Sequence, residues 1–109
     1  MAFDEGLAHR IREHLAGEAG LTEKRMFGGI AFLVDGKMCV GVIGDDLIAR
    51  VGADAGDAAL ARPGAGPMDF TGRPMKGWVT VAGDALDDDE VFAAWVDECR
   101  AFVATLPPK

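Results

Sequence analysis

Between Lys24 and Val51 the chain runs through short apolar segments separated by tight, glycine-bearing breaks. This pattern constrains the fold more than any other stretch. Four strands are predicted, at Glu23–Phe27, Ile30–Val34, Lys37–Ile43 and Leu47–Val51. Asp35-Gly36 is a strong hairpin signal, because a two-residue turn of the favoured hand needs positive φ at both positions. Gly44-Asp45-Asp46 marks a second turn, and Gly28-Gly29 a turn or a bulge. Consecutive tight connections of this kind build an antiparallel meander.

The flanking segments have helical period. Phe3, Leu7, Ile11 and Leu15 recur every four positions and place one apolar stripe on a helix over 4–17. Asp4 and Glu5 suit its positive N-terminal end. An alanine-rich segment over 54–61 reads as a short helix closed by Arg62-Pro63. Pro63–Pro67 reads as a loop and Met68–Phe70 as a short strand. Thr71–Gly77 is a polar connection, and Trp78–Val81 a returning strand. Phe92, Trp95, Val96, Cys99, Phe102, Val103 and Leu106 share a helical face over about 87–105. Asp87–Glu90 crowd the start of that helix, where an N-cap and charge–dipole attraction account for them. The order α-β-β-β-β-α-β-β-α predicts a single α+β domain over 1–109: two layers, with a mainly antiparallel sheet and helices on one face.

At 109 residues, half of them hydrophobic, the chain has the material for one core without metals or disulfides. The formal net charge is −7. Residues 22–81 are balanced, so the excess acid lies in the two terminal segments. An acidic chain with no basic run makes direct nucleic-acid binding an unfavoured function. No apolar run approaches the roughly 20 residues that span a bilayer, so no membrane partner is expected. The start lacks a secretory n-region and h-region, and the two cysteines, Cys39 and Cys99, read as reduced buried thiols. The expected location is cytoplasmic.

Strict alternation along the third strand would set Met38, Val40 and Val42 on one face and Cys39, Gly41 and Ile43 on the other. Both sets are apolar or small, as is much of the fourth strand. A sheet covered on one face alternates more cleanly. A second copy of the chain is therefore expected on the far face, making a homodimer through Cys39, Gly41, Ile43, Ile48 and Arg50.

Met26-Phe-Gly-Gly-Ile-Ala-Phe, Asp35-Gly-Lys-Met and Asp45-Asp-Leu-Ile-Ala-Arg-Val, followed by Pro67-Met-Asp-Phe-Thr-Gly-Arg-Pro-Met-Lys-Gly-Trp and a closing Trp-containing helix, resemble in that order the N-terminal domain of the TfoX/Sxy proteins. The resemblance covers nearly the whole chain. It implies a compact α+β domain. It also implies kinship with regulators of natural competence, which act with a cyclic-AMP receptor-type activator and carry a helical C-terminal domain after this one. The chain stops at Lys109 and so reads as a stand-alone version of the N-terminal domain. The resemblance supplies no catalytic residue.

The residues themselves are poor in chemistry. There is no serine and no tyrosine. Gly28-Gly29 lacks the Gly-Lys-Ser/Thr that follows in a phosphate-cradling loop. His9 and His14 sit about 140° apart around a helix and do not share a metal easily. Cys39 sits mid-strand between Met38 and Val40, with both histidines on a distant segment, and reads as core packing rather than a nucleophile. No catalytic residue, metal or cofactor is expected. The polar residues that stand out are Arg73 and Lys76, on a loop shaped by Gly72, Pro74 and Gly77, and Lys24 and Arg25, just before the Met-Phe-Gly-Gly break. Brought together, they would form a basic recess for an acidic partner or a phosphate-bearing ligand. The expected function is a non-enzymatic regulatory or adaptor protein acting through protein–protein contacts in transcription or competence-type regulation, with a transcription activator as the candidate partner. The alternative is a small-molecule binder or minor enzyme that uses the Arg73/Lys76 loop.

Overall fold

The computed structural model describes residues 3–26, 28–68 and 77–107 and, for Met26, the backbone alone. Helix α1 (Glu5–His14) precedes strands β1 (Leu21–Met26), β2 (Gly29–Val34), β3 (Lys37–Ile43) and β4 (Asp46–Arg50). A 3-10 turn over Ala53–Ala55 leads into α2 (Gly56–Leu60). Strands β5 (Ala65–Pro67) and β6 (Trp78–Val81), a second 3-10 turn over Gly83–Leu86 and the long helix α3 (Asp89–Ala104) complete the order. One open antiparallel sheet results, with strand order β1-β2-β3-β4-β6-β5. The fold is α+β, in the expected element order.

Local chemistry explains most boundaries. Asp35 and Gly36 both take positive φ, 53° and 79°, as the hairpin demands. Asp4 caps α1: its Oδ1 accepts from the backbone N–H of Gly6 at 2.8 Å and of Leu7 at 3.2 Å. Asp88 caps α3 by accepting from the Glu90 N–H at 2.8 Å. The core forms between the helices and one sheet face. Leu7, Ala8 and Ile11 of α1 and Phe92, Trp95, Val96, Cys99 and Val103 of α3 meet Ile30, Phe32, Val40, Val42, Leu47, Ala49, Val79 and Val81. Among the described residues no polar or charged residue is buried.

Three expectations need correction. The segment read as a loop supplies strand β5, Ala65–Pro67, whereas Met68 lies outside any strand and Asp69 and Phe70 lie outside the described residues. Proline is tolerated there because β5 is an edge strand whose one neighbour is β6. Strict alternation also fails in β3. Phe32 pairs with Val40 but Leu33 pairs with Met38, so Cys39 is an extra residue in a β-bulge. The bulge turns Cys39 to the helix side, where it is fully buried in the core beside Val40. Met38 moves to the opposite face, where its Cε lies over Gly41.

The end of β4 depends on Gly52. Its φ of 89° and ψ of 153° lie in a region that only glycine occupies comfortably. A β-carbon there would also run into the Phe102 ring of α3 and force a shift. Gly52→Ala is expected to cost about 1–3 kcal/mol, read as a lowered urea midpoint with an unchanged slope.

Candidate functional site

The sequence-predicted cations fall into two groups. Lys24 and Arg25 lie on β1 at one edge of the sheet. Arg73 and Lys76 lie outside the described residues.

Around Lys24 and Arg25 the structure builds a recess of about 210 Å³, lined also by Phe3, Glu5, Arg12, Glu23 and Ile30. Its geometry follows from strand alternation. Glu23 and Arg25 share the helix-covered face of β1, and Lys24 points to the other. Arg12, on α1, reaches across to Glu23 in a fork: Nε donates to Oε2 at 2.7 Å and Nη2 to Oε1 at 2.8 Å. The Arg25 guanidinium lies 5.5 Å from the centre of the Phe3 ring and, among the described residues, makes no ion pair. Three cations and two carboxylates therefore meet at this corner. Sequence reading missed Arg12 and Glu23, because only the packing of α1 across β1 brings them together.

The fork sets the protonation of both partners. The hydrogen bonds and charge of Arg12 hold the Glu23 carboxyl below its ordinary value of 4.5, and Glu23 raises Arg12 in turn. A depressed carboxylate contributes stability at pH values above its unfolded value, and that stability is lost as pH falls through the folded one. Both side chains stay about a third or more exposed, at 46% and 33%, so solvent screens the pair. Glu23→Gln is expected to cost about 0.2–1 kcal/mol at pH 7. Urea titrations at pH values far below 4.5 should show no difference from the parent.

The opposite character appears at the end of the sheet where α1 and α3 begin. Asp4, Asp45, Asp46, Asp84 and Asp87 line a recess of about 700 Å³ with Arg10. Arg10 is engaged elsewhere, 3.1 Å from Asp89 and 4.3 Å from the Phe92 ring centre. Among the described residues no cluster of three or more histidine, cysteine or carboxylate side chains has the geometry to hold a metal ion. His9 pairs with Glu13 at 3.1 Å, and His14 with Asp97 of α3 at 2.9 Å.

The face expected to bind a second copy is only partly assembled. Gly41, Ile43, Ile48 and Arg50 lie on the helix-free side, and the bulge removes Cys39 from it. Ile48 is buried within the chain, Ile43 is half-buried, and Arg50 packs 5.3 Å from the Trp78 ring and 5.7 Å from Phe102.

The two thiols are free and buried. Burial in apolar surroundings pushes Cys39 up to about 12 and Cys99 higher still. Both are neutral at physiological pH and poor nucleophiles. In native protein at pH 8 neither thiol should react with Ellman's reagent on the minutes scale, and both should react in denaturant. Prompt native labelling would show that one of them is accessible and activated.

Comparison with known proteins gives one match. The family model described as the TfoX N-terminal domain matches residues 13–103. No curated protein and no solved structure matches the chain.

Proposed function

The chain belongs to the TfoX N-terminal domain family, which is linked to competence and regulatory proteins, and from that premise we propose a non-enzymatic regulatory or adaptor role. The protein works through protein–protein contacts, in the cytoplasm, and its partner belongs to the transcription machinery. The observation that carries this reading is the family match across residues 13–103. Two further observations support it. The two cysteines are held as neutral, buried thiols. The aspartate-lined recess presents a negative surface that repels a phosphate backbone, so the route to a promoter runs through a protein partner.

The cationic corner gives the rival reading its footing. Arg12, Lys24 and Arg25 around a recess of about 210 Å³ have the charge to receive a small anionic ligand, with Arg73 and Lys76 as further candidates. One experiment separates the two. The tagged protein and its Lys24→Ala/Arg25→Ala variant are used to capture partners from native cell extract, with mass spectrometry of both proteins and small molecules. The regulatory reading expects a transcription activator or a polymerase subunit at stoichiometric level. A bound metabolite lost in the variant, with no such protein, overturns it in favour of the rival.

A further inference from the structure

The two edges of the sheet are built differently. At one end, β5 has three residues and includes Pro67, which has no N–H to donate. Short length and proline are two of the ways in which a sheet edge is blunted. At the other end, β1 has six residues, no proline and an unbroken register with β2 from Leu21↔Val34 to Met26↔Gly29. Thr22, Glu23, Lys24 and Arg25 are all exposed. Among the described residues no strand covers the outer side of β1.

The phase of the β1–β2 ladder identifies the unpaired backbone groups. The Asp35 N–H donates to the Gly20 carbonyl at 3.0 Å, so Gly20 and Asp35 stand opposite each other as a hydrogen-bonded position. In an antiparallel pair such positions alternate. Thr22 and Lys24 therefore bond inward to β2. The N–H and C=O of Glu23 and Arg25 point outward, away from the sheet.

We propose that β1 is a self-association edge, and that its occupant is β1 of a second copy of this chain, paired antiparallel about a two-fold axis at Lys24. A two-fold axis normal to the sheet keeps each residue on its own face, so paired residues differ by an even number of positions. Centring on Lys24 sets Glu23 against Arg25 of the second copy, twice, and those are the two residues whose backbone groups point outward. Each Glu23–Arg25 pair then exchanges both N–H···O bonds and also joins opposite charges across the strands. Arg25 of the second copy adds a cation to the Glu23 carboxylate that Arg12 already holds. Centring on Glu23 instead sets two carboxylates face to face at the hydrogen-bonded position, which is repulsive. The one like-charged pair in the favoured register is Lys24 with itself, on the helix-free face, where long side chains can splay. Both copies use the same edge and β5 blunts the other, so the assembly closes as a dimer. The inference rests on β1 alone, and neither reading of function is needed for it.

Sedimentation velocity on the whole chain tests the proposal, with amide exchange as a site-specific readout. The parent protein is expected to show a concentration-dependent dimer, with exchange of the Glu23 and Arg25 amides slowing as concentration rises. Lys24, already bonded to β2, should not change. Arg25→Glu should weaken the dimer about tenfold, and Glu23→Arg/Arg25→Glu should recover it. Lys24→Thr removes the repulsion at the axis and should tighten the dimer. Arg25→Pro deletes an outward N–H but no ladder bond to β2, and should leave a folded monomer. A parent protein that stays monomeric at its highest soluble concentration overturns the proposal. So does a dimer indifferent to Arg25→Glu and to Lys24→Thr.

Discussion

The seating of α3 on the middle of the sheet is the interaction on which the rest of the structure depends. Phe92, Trp95, Val96, Cys99 and Val103 form its buried stripe and meet the inward residues of β3 and β4. Burial of such side chains contributes about 1.5–3 kcal/mol each, far more than any surface ion pair on this molecule. The neighbouring arginines add to this seating. Arg62 lies 3.5 Å over the Trp95 ring and donates to Glu98 at 2.6 Å, while Arg10 covers Phe92. These cations shield the rim of the helix and are used up in doing so. The bulge at Cys39 belongs to the same interface. It places two consecutive residues, Cys39 and Val40, under the helix.

That bulge marks the limit of what the chain discloses by pattern. Periodicity locates α1 and α3, whose buried faces repeat every 3.6 residues, whereas the four-strand meander shows as short apolar segments cut by glycine-bearing turns. Asp35-Gly36 is legible because its backbone conformation restricts which residues serve there. A bulge has no such signature. Lys37–Ile43 is apolar on both faces, so moving one residue across the sheet leaves no visible break in the pattern. β5 was illegible for a related reason. Ala65-Gly-Pro67 has low strand propensity and is held by pairing with β6, a tertiary effect that overrides local preference.

The site was legible only in part, and the reason is geometric. Lys24 and Arg25 could be singled out as charges beside a glycine-rich break. Their partners could not, because Arg12 and Phe3 arrive from α1 and its leading residue by packing rather than by sequence spacing. The same holds for His14 and Asp97, 83 positions apart and joined where α1 meets α3. A dimer face predicted from alternation inherits every error in the alternation, which is why the register shift at Cys39 alters it.

The folded chain sorts its charges in a way that net charge conceals. At −7, the molecule is acidic overall, and its aspartates gather from three segments at the end where α1 and α3 begin. Arg10 and Arg62 are engaged by aromatic rings and carboxylates. Arg25 and Lys24 make no ion pair among the described residues and lie together on the edge of the sheet. A macromolecule approaching this protein therefore meets two distinct surfaces. One is dominated by aspartates, its Arg10 being paired with Asp89, and repels acidic partners at a distance. The other sets Glu23 and Arg25, of opposite sign, on one face of β1 with Lys24 on the opposite face. The backbone groups of Glu23 and Arg25 point outward, which favours a strand whose charges run in the complementary order. In the dimer proposed above, the edge is where the outward backbone groups and the side-chain charges select the same partner.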